Sequence, residues 1–162
     1  MRADLTGLPA QIIEDRSLGV IRFEPTIQRD VVVRRRDGLH SYQLATVVDD
    51  AEQGITDVVR GADLLPSTAW QIALQHALAL PTPRYLHLPL VVEADGRKLA
   101  KSRHAAPLDI SEAAAQLCRV FGWLKQDCPP VPVKAPRAML AWLKERWDPA
   151  RLKGLREVRL DN

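Results

Sequence analysis

The sequence has 162 residues, of which 46% are hydrophobic and 27% charged, a balance typical of a soluble globular protein. No apolar run reaches the roughly 18 residues that a membrane-spanning helix needs, and the first residues lack the apolar core of a signal peptide, so we expect a cytoplasmic protein without a membrane partner. The formal net charge of +3 is compatible with a polyanionic partner but does not require one.

The predicted elements of the first half of the chain begin with an irregular segment. Residues 1–17 show no clear periodicity. Residues 18–23 are a predicted short strand, and residues 30–36 are a better one because three valines suit a pleated surface. Residues 41–50 fit either a helix or a strand.

Two apolar strands separated by a helix are predicted next. Residues 55–59 are mostly β-branched and predict a buried strand of the parallel type. A helix is predicted from 67 to about 80, with Thr68 and Gln71 in capping-box spacing. Residues 85–92 are the second apolar strand.

The last third of the chain is predicted to be mainly helical. One helix is expected over about 111–122, an extended proline-rich linker over 128–132, and an amphipathic helix over 138–147. Leu140, Leu143 and Trp147 are expected on the inner stripe of that last helix. The expected organisation is therefore an irregular segment (1–17), an α/β portion (18–109) and a helical appendix (110–162).

Cysteine and histidine usage predicts no metal site. Cys118 and Cys128 have a spacing that fits no zinc or redox motif, so we expect buried free thiols. The four histidines lack the spacing of metal ligands.

Basic residues offer the main functional signals. Residues 134–160 are rich in lysine and arginine, which fits either a solvated helical face or contact with a polyanion. Arg60 lies at the C-terminal end of a predicted parallel strand, at the edge of an α/β sheet where ligands bind, and its guanidinium could hold a carboxylate or phosphate. From its position alone, a surface arginine at a strand end is the commoner arrangement. Tyr42 could present its hydroxyl to the same cleft, although a buried, hydrogen-bonded tyrosine is the commoner arrangement.

The basic segment GRKLAKSR at residues 96–103 contains Lys98 and Lys101. Lysine is a point charge on a flexible stem and suits a loop that follows charge developing on phosphates. Taken alone, such a segment is more commonly a solvated basic loop.

A series of motifs in chain order resembles one family, the glutamyl-Q tRNA(Asp) synthetases, which are paralogues of the glutamyl-tRNA synthetase catalytic domain. The resemblance covers about residues 30–105 strongly. The motifs are VVRRRDG at 32–38, YQLA at 42–45, VVDD at 47–50, QGIT at 53–56, VRGADLL at 59–65, Thr68 with Gln71, YLHLP at 85–89 and KLAK at 98–101.

The resemblance implies an α/β fold, namely the C-terminal half of a class I synthetase Rossmann-like catalytic domain followed by a small helical appendix. It implies glutamate-binding roles for Tyr42 and Arg60. It also implies that residues 98–102 correspond to the second class I signature, KMSKS, and contact ATP. In that signature Lys98 and Lys101 would be the catalytic lysines, with Leu99, Ala100 and Ser102 completing the ATP contact. Ala100 departs from the usual serine, so a hydroxyl contact is lost there.

The resemblance also has a gap. Nothing in residues 1–30 resembles the family's HIGH-like signature or its zinc site. The expected function is ATP-dependent activation of L-glutamate, with Mg²⁺ accompanying ATP, and transfer to the queuosine base of tRNA(Asp). We expect the chain to lack this activity without an N-terminal half. The alternative is a non-catalytic remnant or a basic RNA-binding or interaction module.

Overall fold

Two units make up the chain, Met1–His87 and Leu88–Asn162. The computed structural model describes residues 1–6, 10–23, 30–100, 109–130 and 133–160. Within these ranges no helix is long and apolar enough to cross a membrane. The strands are β1 (Arg2–Asp4), β2 (Gln11–Asp15), β3 (Gly19–Phe23), β4 (Asp30–Val32), β5 (Asp57–Gly61), β6 (Arg84–Leu88), β7 (Leu90–Val92) and β8 (Glu157–Arg159). The helices are α1 (Tyr42–Glu52), α2 (Leu65–Ala77), α3 (Ala113–Trp123) and α4 (Pro136–Arg146).

The first unit pairs its strands two by two. β1 pairs with β4 and β2 with β3, both antiparallel, and β5 pairs with β6. The segment 1–17, for which the sequence predicts no regular structure, thus contains β1 and β2. β2 alternates buried and exposed residues, so Gln11, Ile13 and Asp15 point inward.

Helix α2 contributes residues to two apolar clusters of the first unit. Ala73 and Leu74 belong to one apolar cluster with residues of β4 and α1, and Ala69 and Ile72 belong to another with residues of β2, β3 and β6. A third, polar stripe of α2 is buried as well, and it consists of Thr68, Gln71 and Gln75. Because buried polar groups need hydrogen-bond partners, the residues that pack against this stripe must include polar ones.

The ambiguous segment 41–50 is a helix. Ser41 is the N-cap of α1, since its hydroxyl oxygen accepts a hydrogen bond from the Leu44 N–H. The predicted capping box of Thr68 and Gln71 is wrong. α2 begins at Leu65, directly after a 3-10 turn and with a proline in its first turn, so both residues lie inside the helix.

Two strand predictions also need correction. The buried strand expected over 55–59 is β5, shifted toward Gly61, and its Val59 is 61% exposed. The apolar run 85–92 forms two strands rather than one, because Pro89 has no N–H to donate and interrupts the run.

In the second unit α3 packs against α4, and β7 pairs with β8 in parallel. Its most buried side chains are Phe121, Met139 and Leu152. The predicted inner stripe of α4 is wrong in one position, since Leu140 is 51% exposed while the adjacent Met139 is buried.

The expectation of two free buried thiols is wrong. Cys118 on α3 and Cys128 are joined as a disulfide, with their Cα atoms 5.3 Å apart, and both residues are only half-buried. The end of α3 turns the chain back at Lys125, which adopts positive φ. This reversal brings Cys128 back alongside the helix, an arrangement that the cysteine spacing alone does not reveal. The predicted boundaries at 17 and 109 stay predictions.

Candidate active site

A fully buried carboxylate–imidazole pair lies at the centre of the first unit. The Nδ1 atom of His87 on β6 lies 2.6 Å from Oδ2 of Asp15 at the end of β2. The Asp15 carboxylate also accepts backbone N–H bonds from Ser17 at 2.9 Å, from Leu18 at 2.8 Å and from His87 itself at 3.2 Å. Four donors therefore surround one carboxylate and keep it ionised.

The other ring nitrogen of His87 faces a hydroxyl and an arginine. Its Nε2 atom lies 3.1 Å from the buried Thr68 Oγ1, and Arg60 Nε donates to it over a longer distance of 3.4 Å. Arg60 Nη2 donates to the same Thr68 oxygen at 2.6 Å. The guanidinium edge formed by Nε and Nη2 is thus held by two side chains from α2 and β6.

An aromatic face supports the same guanidinium. Arg60 Cζ lies 5.3 Å from the centroid of the Tyr85 ring, within the range of a cation–π interaction. Tyr85 and His87 are two residues apart on β6, so their rings share one face of the strand and stack with centroids 6.0 Å apart. The Tyr85 hydroxyl accepts a hydrogen bond from Gln75 Nε2 at 3.2 Å.

The electrostatics of the pair follow from burial and hydrogen bonding. Burial by itself would raise the pKa of Asp15, but the hydrogen bonds from Leu18, His87 and Ser17 outweigh it and lower that pKa below its ordinary value. Burial lowers the pKa of His87, Asp15 opposes this shift, and the positive charge of Arg60 adds to it. At neutral pH the cluster therefore holds an ionised carboxylate, a neutral imidazole and a cationic guanidinium.

Tyr42 is the first residue of α1 and is 54% exposed. Burial raises the pKa of Tyr85, Gln75 and Arg60 oppose the shift, and Asp50 and Tyr42 add to it. Tyr42 and Arg60, which the sequence singles out, both belong to the first unit.

A relay of side-chain hydrogen bonds ties α1 to α2. Gln71 Nε2 donates to Gln43 Oε1 at 3.0 Å, and Gln43 Nε2 donates to Ser67 Oγ at 3.0 Å. The relay fixes the start of α1, where Tyr42 lies, against the start of α2, where Thr68 lies.

Residues 96–103, named the lysine loop, follow β7 in the second unit, and the structure describes this loop up to Ala100. A turn at 93–97 reverses the chain, with Gly96 at φ +77°, and a β-bridge then pairs Lys98 with Val92. The Leu99 N–H donates to the Val91 carbonyl at 2.8 Å. The backbone of Lys98 and Leu99 is therefore tied to β7, and Ala100 follows half-buried.

The predicted site residues fall into three groups. Tyr42 and Arg60 belong to the first unit, and Lys98, Leu99 and Ala100 belong to the second. Lys101 and Ser102 lie outside the described residues. The roles assigned to all of them stay predictions.

Sequence reasoning misses three residues that hold Arg60. Asp15 is 72 residues from His87 along the chain, so no local pattern joins them. Thr68 is mistaken for a helix cap. The signal for His87 is a histidine within an otherwise apolar run, where burial without a partner would be costly.

The model of a known family matches most of the chain. It describes class I tRNA synthetases (E and Q), catalytic domain, and it matches residues 2–117. The chain belongs to this family. Its membership makes it a relative of enzymes that join amino acids to tRNA at the expense of ATP.

Glutamyl-Q tRNA(Asp) synthetases are among the similar members of the family. The one from Ectopseudomonas mendocina is 52% identical over 125 residues, which are 76% of this chain and 42% of that protein. The one from Pseudomonas aeruginosa is 52% identical over 124 residues, again 76% and 42%. The chain thus matches less than half the length of these curated relatives.

Solved structures of this family share the fold. The glutamate-tRNA synthetase from Elizabethkingia anophelis superposes with a TM-score of 0.74 at 21% identity, covering 99% of this chain and 36% of that chain. A glutamate tRNA ligase from Elizabethkingia meningosepticum, in complex with its amino acid, gives 0.67 at 22% identity, covering 94% and 34%. The predicted α/β fold of a class I synthetase catalytic domain is confirmed.

Proposed function

We propose that this chain is the part of a glutamyl-Q tRNA(Asp) synthetase that holds the glutamate side of the site and the lysine loop. The observation that carries the proposal is the placement of Arg60 at the end of β5. Its Nε and Nη2 atoms are engaged by His87 and Thr68. Within the described residues its Nη1 atom has no hydrogen-bond partner, so it is available to a carboxylate.

The proposed reaction begins with the activation of L-glutamate. The glutamate α-carboxylate attacks the α-phosphate of ATP, a phosphorus–oxygen bond forms, and pyrophosphate leaves. No general base is needed, because a carboxylate is ionised at neutral pH. Arg60 and Tyr42 would hold glutamate, so the chain's contribution is positioning.

The lysine loop would stabilise the negative charge on the phosphates. Lys98 and Lys101 would donate to phosphate oxygens as negative charge develops, and Leu99, Ala100 and Ser102 would complete the contact with ATP. Mg²⁺ would arrive with ATP, because it is usually bound through substrate phosphates. We infer a cytoplasmic location, where ATP and tRNA are available.

Transfer of glutamate to the queuosine base of tRNA(Asp) would be the second step. A surface in the second unit supports contact with the RNA backbone. Arg119 and Lys125 lie with Arg159 around a groove of about 590 Å³ that Trp123 also lines. Phosphate contacts by such groups give affinity without reading base sequence.

The decisive experiment compares two readouts in the complete synthetase that contains this chain. L-glutamate should drive ATP–pyrophosphate exchange, and labelled glutamate should reach tRNA(Asp) only when the tRNA carries queuosine. RNA binding without exchange would instead favour the alternative of a non-catalytic, basic RNA-binding module. We expect the 162 residues alone to give no exchange, since they contain no HIGH-like signature.

A further inference from the structure

The hydrogen-bond chain behind Arg60 runs through four residues that are distant in sequence. It passes from the Asp15 carboxylate to His87 Nδ1, and from His87 Nε2 to the Thr68 hydroxyl and the Arg60 guanidinium. Asp15, Thr68 and His87 are all buried, whereas Arg60 is half-buried. These hydrogen bonds therefore lead from the buried interior to a half-buried guanidinium.

The hydrogen count along this chain selects one tautomer. The Asp15 carboxylate can only accept, so His87 Nδ1 carries the hydrogen that it donates at 2.6 Å. The Arg60 Nε–H can only donate, so His87 Nε2, at 3.4 Å from it, must offer a lone pair. The Thr68 oxygen accepts from Arg60 Nη2 at 2.6 Å, and its own hydrogen has two acceptors within reach, the Leu64 carbonyl at 3.3 Å and His87 Nε2 at 3.1 Å.

We propose that Asp15, His87 and Thr68 form a positioning device for Arg60, in which the neutral Nδ1–H tautomer of His87 and the Thr68 hydroxyl hold the Nε/Nη2 edge of the guanidinium. The Nη1 end is then presented to a carboxylate in a fixed orientation. The part of this inference that concerns substrate rests on the proposed function. The part that concerns the guanidinium does not, since it is a property of the ligand-free chain.

Charge supports the same arrangement. A protonated His87 would place a second positive charge 3.4 Å from Arg60 Nε, where the two cations would repel each other. A neutral ring avoids this, and the Asp15 carboxylate then balances the guanidinium through the ring. Burial, which lowers the pKa of His87, favours the same neutral state.

Two matched pairs of variants separate positioning from simple packing. Thr68→Val keeps the shape of the side chain but removes the hydroxyl, and Thr68→Ser keeps the hydroxyl. His87→Gln places an acceptor oxygen where Nε2 lies and loses the donor to Asp15. His87→Asn keeps a donor for Asp15 and has nothing at the Nε2 position. If these residues only filled space, the effect of a variant would not depend on whether it keeps a hydrogen-bonding group toward Arg60.

The first measurement uses nitrogen-15 NMR on the 162-residue chain without ligand, with Arg60→Lys identifying the Arg60 Nε–H signal. We expect an unprotonated Nε2 and a protonated Nδ1 in His87. We also expect hydrogen exchange of the Arg60 Nε–H to accelerate at least about tenfold in Thr68→Val, since a charged hydrogen bond contributes that much, and to stay slow in Thr68→Ser. A protonated Nε2, or an unchanged exchange rate in folded Thr68→Val, would overturn the proposal.

The second measurement uses steady-state kinetics of the complete synthetase. KM for L-glutamate should rise about tenfold or more in Thr68→Val and His87→Asn, with KM for ATP unchanged, and should rise less in Thr68→Ser and His87→Gln. Thermal unfolding of each variant shows whether loss of fold contributes. Equal effects of His87→Gln and His87→Asn in folded protein would overturn the positioning role. If the wild type ignores glutamate while the NMR result holds, the proposed function fails and the positioning device stands.

Discussion

The guanidinium of Arg60 lies over the face of Tyr85, with Cζ 5.3 Å from the ring centroid. The negative face of the ring attracts the cation and restricts how far it can move from that face. His87, stacked on Tyr85, and Thr68 hold one edge of the guanidinium by hydrogen bonds. The arginine is thus restricted both over the ring and at one edge before any ligand arrives, which lowers the entropy lost on binding.

Replacing Arg60 should impair glutamate use more than ATP use. Truncating one partner of a buried charge pair typically costs 2–5 kcal/mol, so Arg60→Ala in the complete synthetase should lower kcat/KM for glutamate by about 10²-fold. Arg60→Lys should not restore it, because a single ammonium cannot replace a planar fork. Initial rates at varied glutamate and varied ATP check this. A change confined to the KM for ATP would mean that Arg60 binds the other substrate.

The free energy of unfolding should decrease in two stages as the pH is lowered, one for His87 and one for Asp15. The pKa of His87 is lower in the folded chain, so its unfolded form takes up a proton first as pH falls below about 6.5, and stability declines from that point. The pKa of Asp15 is also lowered by folding, so its contribution is lost only below about pH 4. The charged groups acting on the His87 ring are Asp15, Arg60 and Asp63.

Urea unfolding of the wild type and of His87→Gln, at pH values from 7.5 to about 5, measures the first stage. Glutamine does not titrate, and the other histidines cancel in the comparison. The advantage of the wild type over the variant should shrink as the pH falls. An advantage that grows toward pH 5 would show that folding raises the pKa of His87.

Local sequence patterns predict the secondary-structure elements around this site better than they predict the buried residues that contact Arg60. A valine-rich run predicts β4, because a pleated surface has chemical preferences that act over a few residues, whereas residues 41–50, which form α1, fit a helix or a strand equally. Arg60 and Tyr42 can be selected as candidates in the same way. Their partners cannot, since Asp15 reaches His87 through a fold that joins residues 72 apart.

Long-range packing also explains the incorrect predictions. Thr68 has the spacing of a helix cap, yet a 3-10 turn and a proline start α2 earlier, and its hydroxyl bonds Arg60 instead. Leu140 fits a helical stripe, but the burial of Met139 shows that the inner face of α4 is rotated from the one predicted. In both cases a local pattern had two readings, and only the neighbouring elements distinguish them.

The link between Cys118 and Cys128 should stabilise the second unit. The cysteines are 10 residues apart, and closing a loop of this length in the unfolded chain is worth roughly 2–3 kcal/mol in the chain-entropy treatment. Chemical unfolding with and without reductant should therefore differ by that amount in the wild type. The Cys118→Ser, Cys128→Ser double variant should show no effect of reductant. Equal stability of oxidised and reduced wild type would contradict the prediction.

The groove of the second unit should contribute to tRNA affinity through phosphates. Arg119→Ala and Arg159→Ala should each weaken binding and reduce the slope of log affinity against log salt by about 1, because each loses one phosphate contact. Arg137→Ala is the matched control, since Arg137 is exposed on α4 but does not line the groove. Filter binding at several salt concentrations checks this. Slopes equal to the wild type in both groove variants would remove the groove from the RNA surface.

Lys101 should matter more to catalysis than Lys98, and the backbone around Lys98 gives the reason. A β-bridge to Val92 and the hydrogen bond from Leu99 to Val91 tie this part of the loop to β7. Lys101 follows three residues later, so we expect its longer reach to let it donate as charge builds on the phosphates. An interaction made only in the transition state lowers kcat and leaves KM nearly unchanged.

Lys101→Ala in the complete synthetase should therefore lower the activation rate by roughly 10²–10³, the effect of losing one preorganised donor, with ATP binding little altered. Lys98→Ala should have a smaller effect on the same rate. Lys101→Arg should not restore activity fully, because a planar guanidinium does not replace a compact ammonium. Single-turnover formation of glutamyl adenylate separates this step from product release. If Lys101→Ala activates glutamate at the rate of the wild type, the loop is a solvated basic surface.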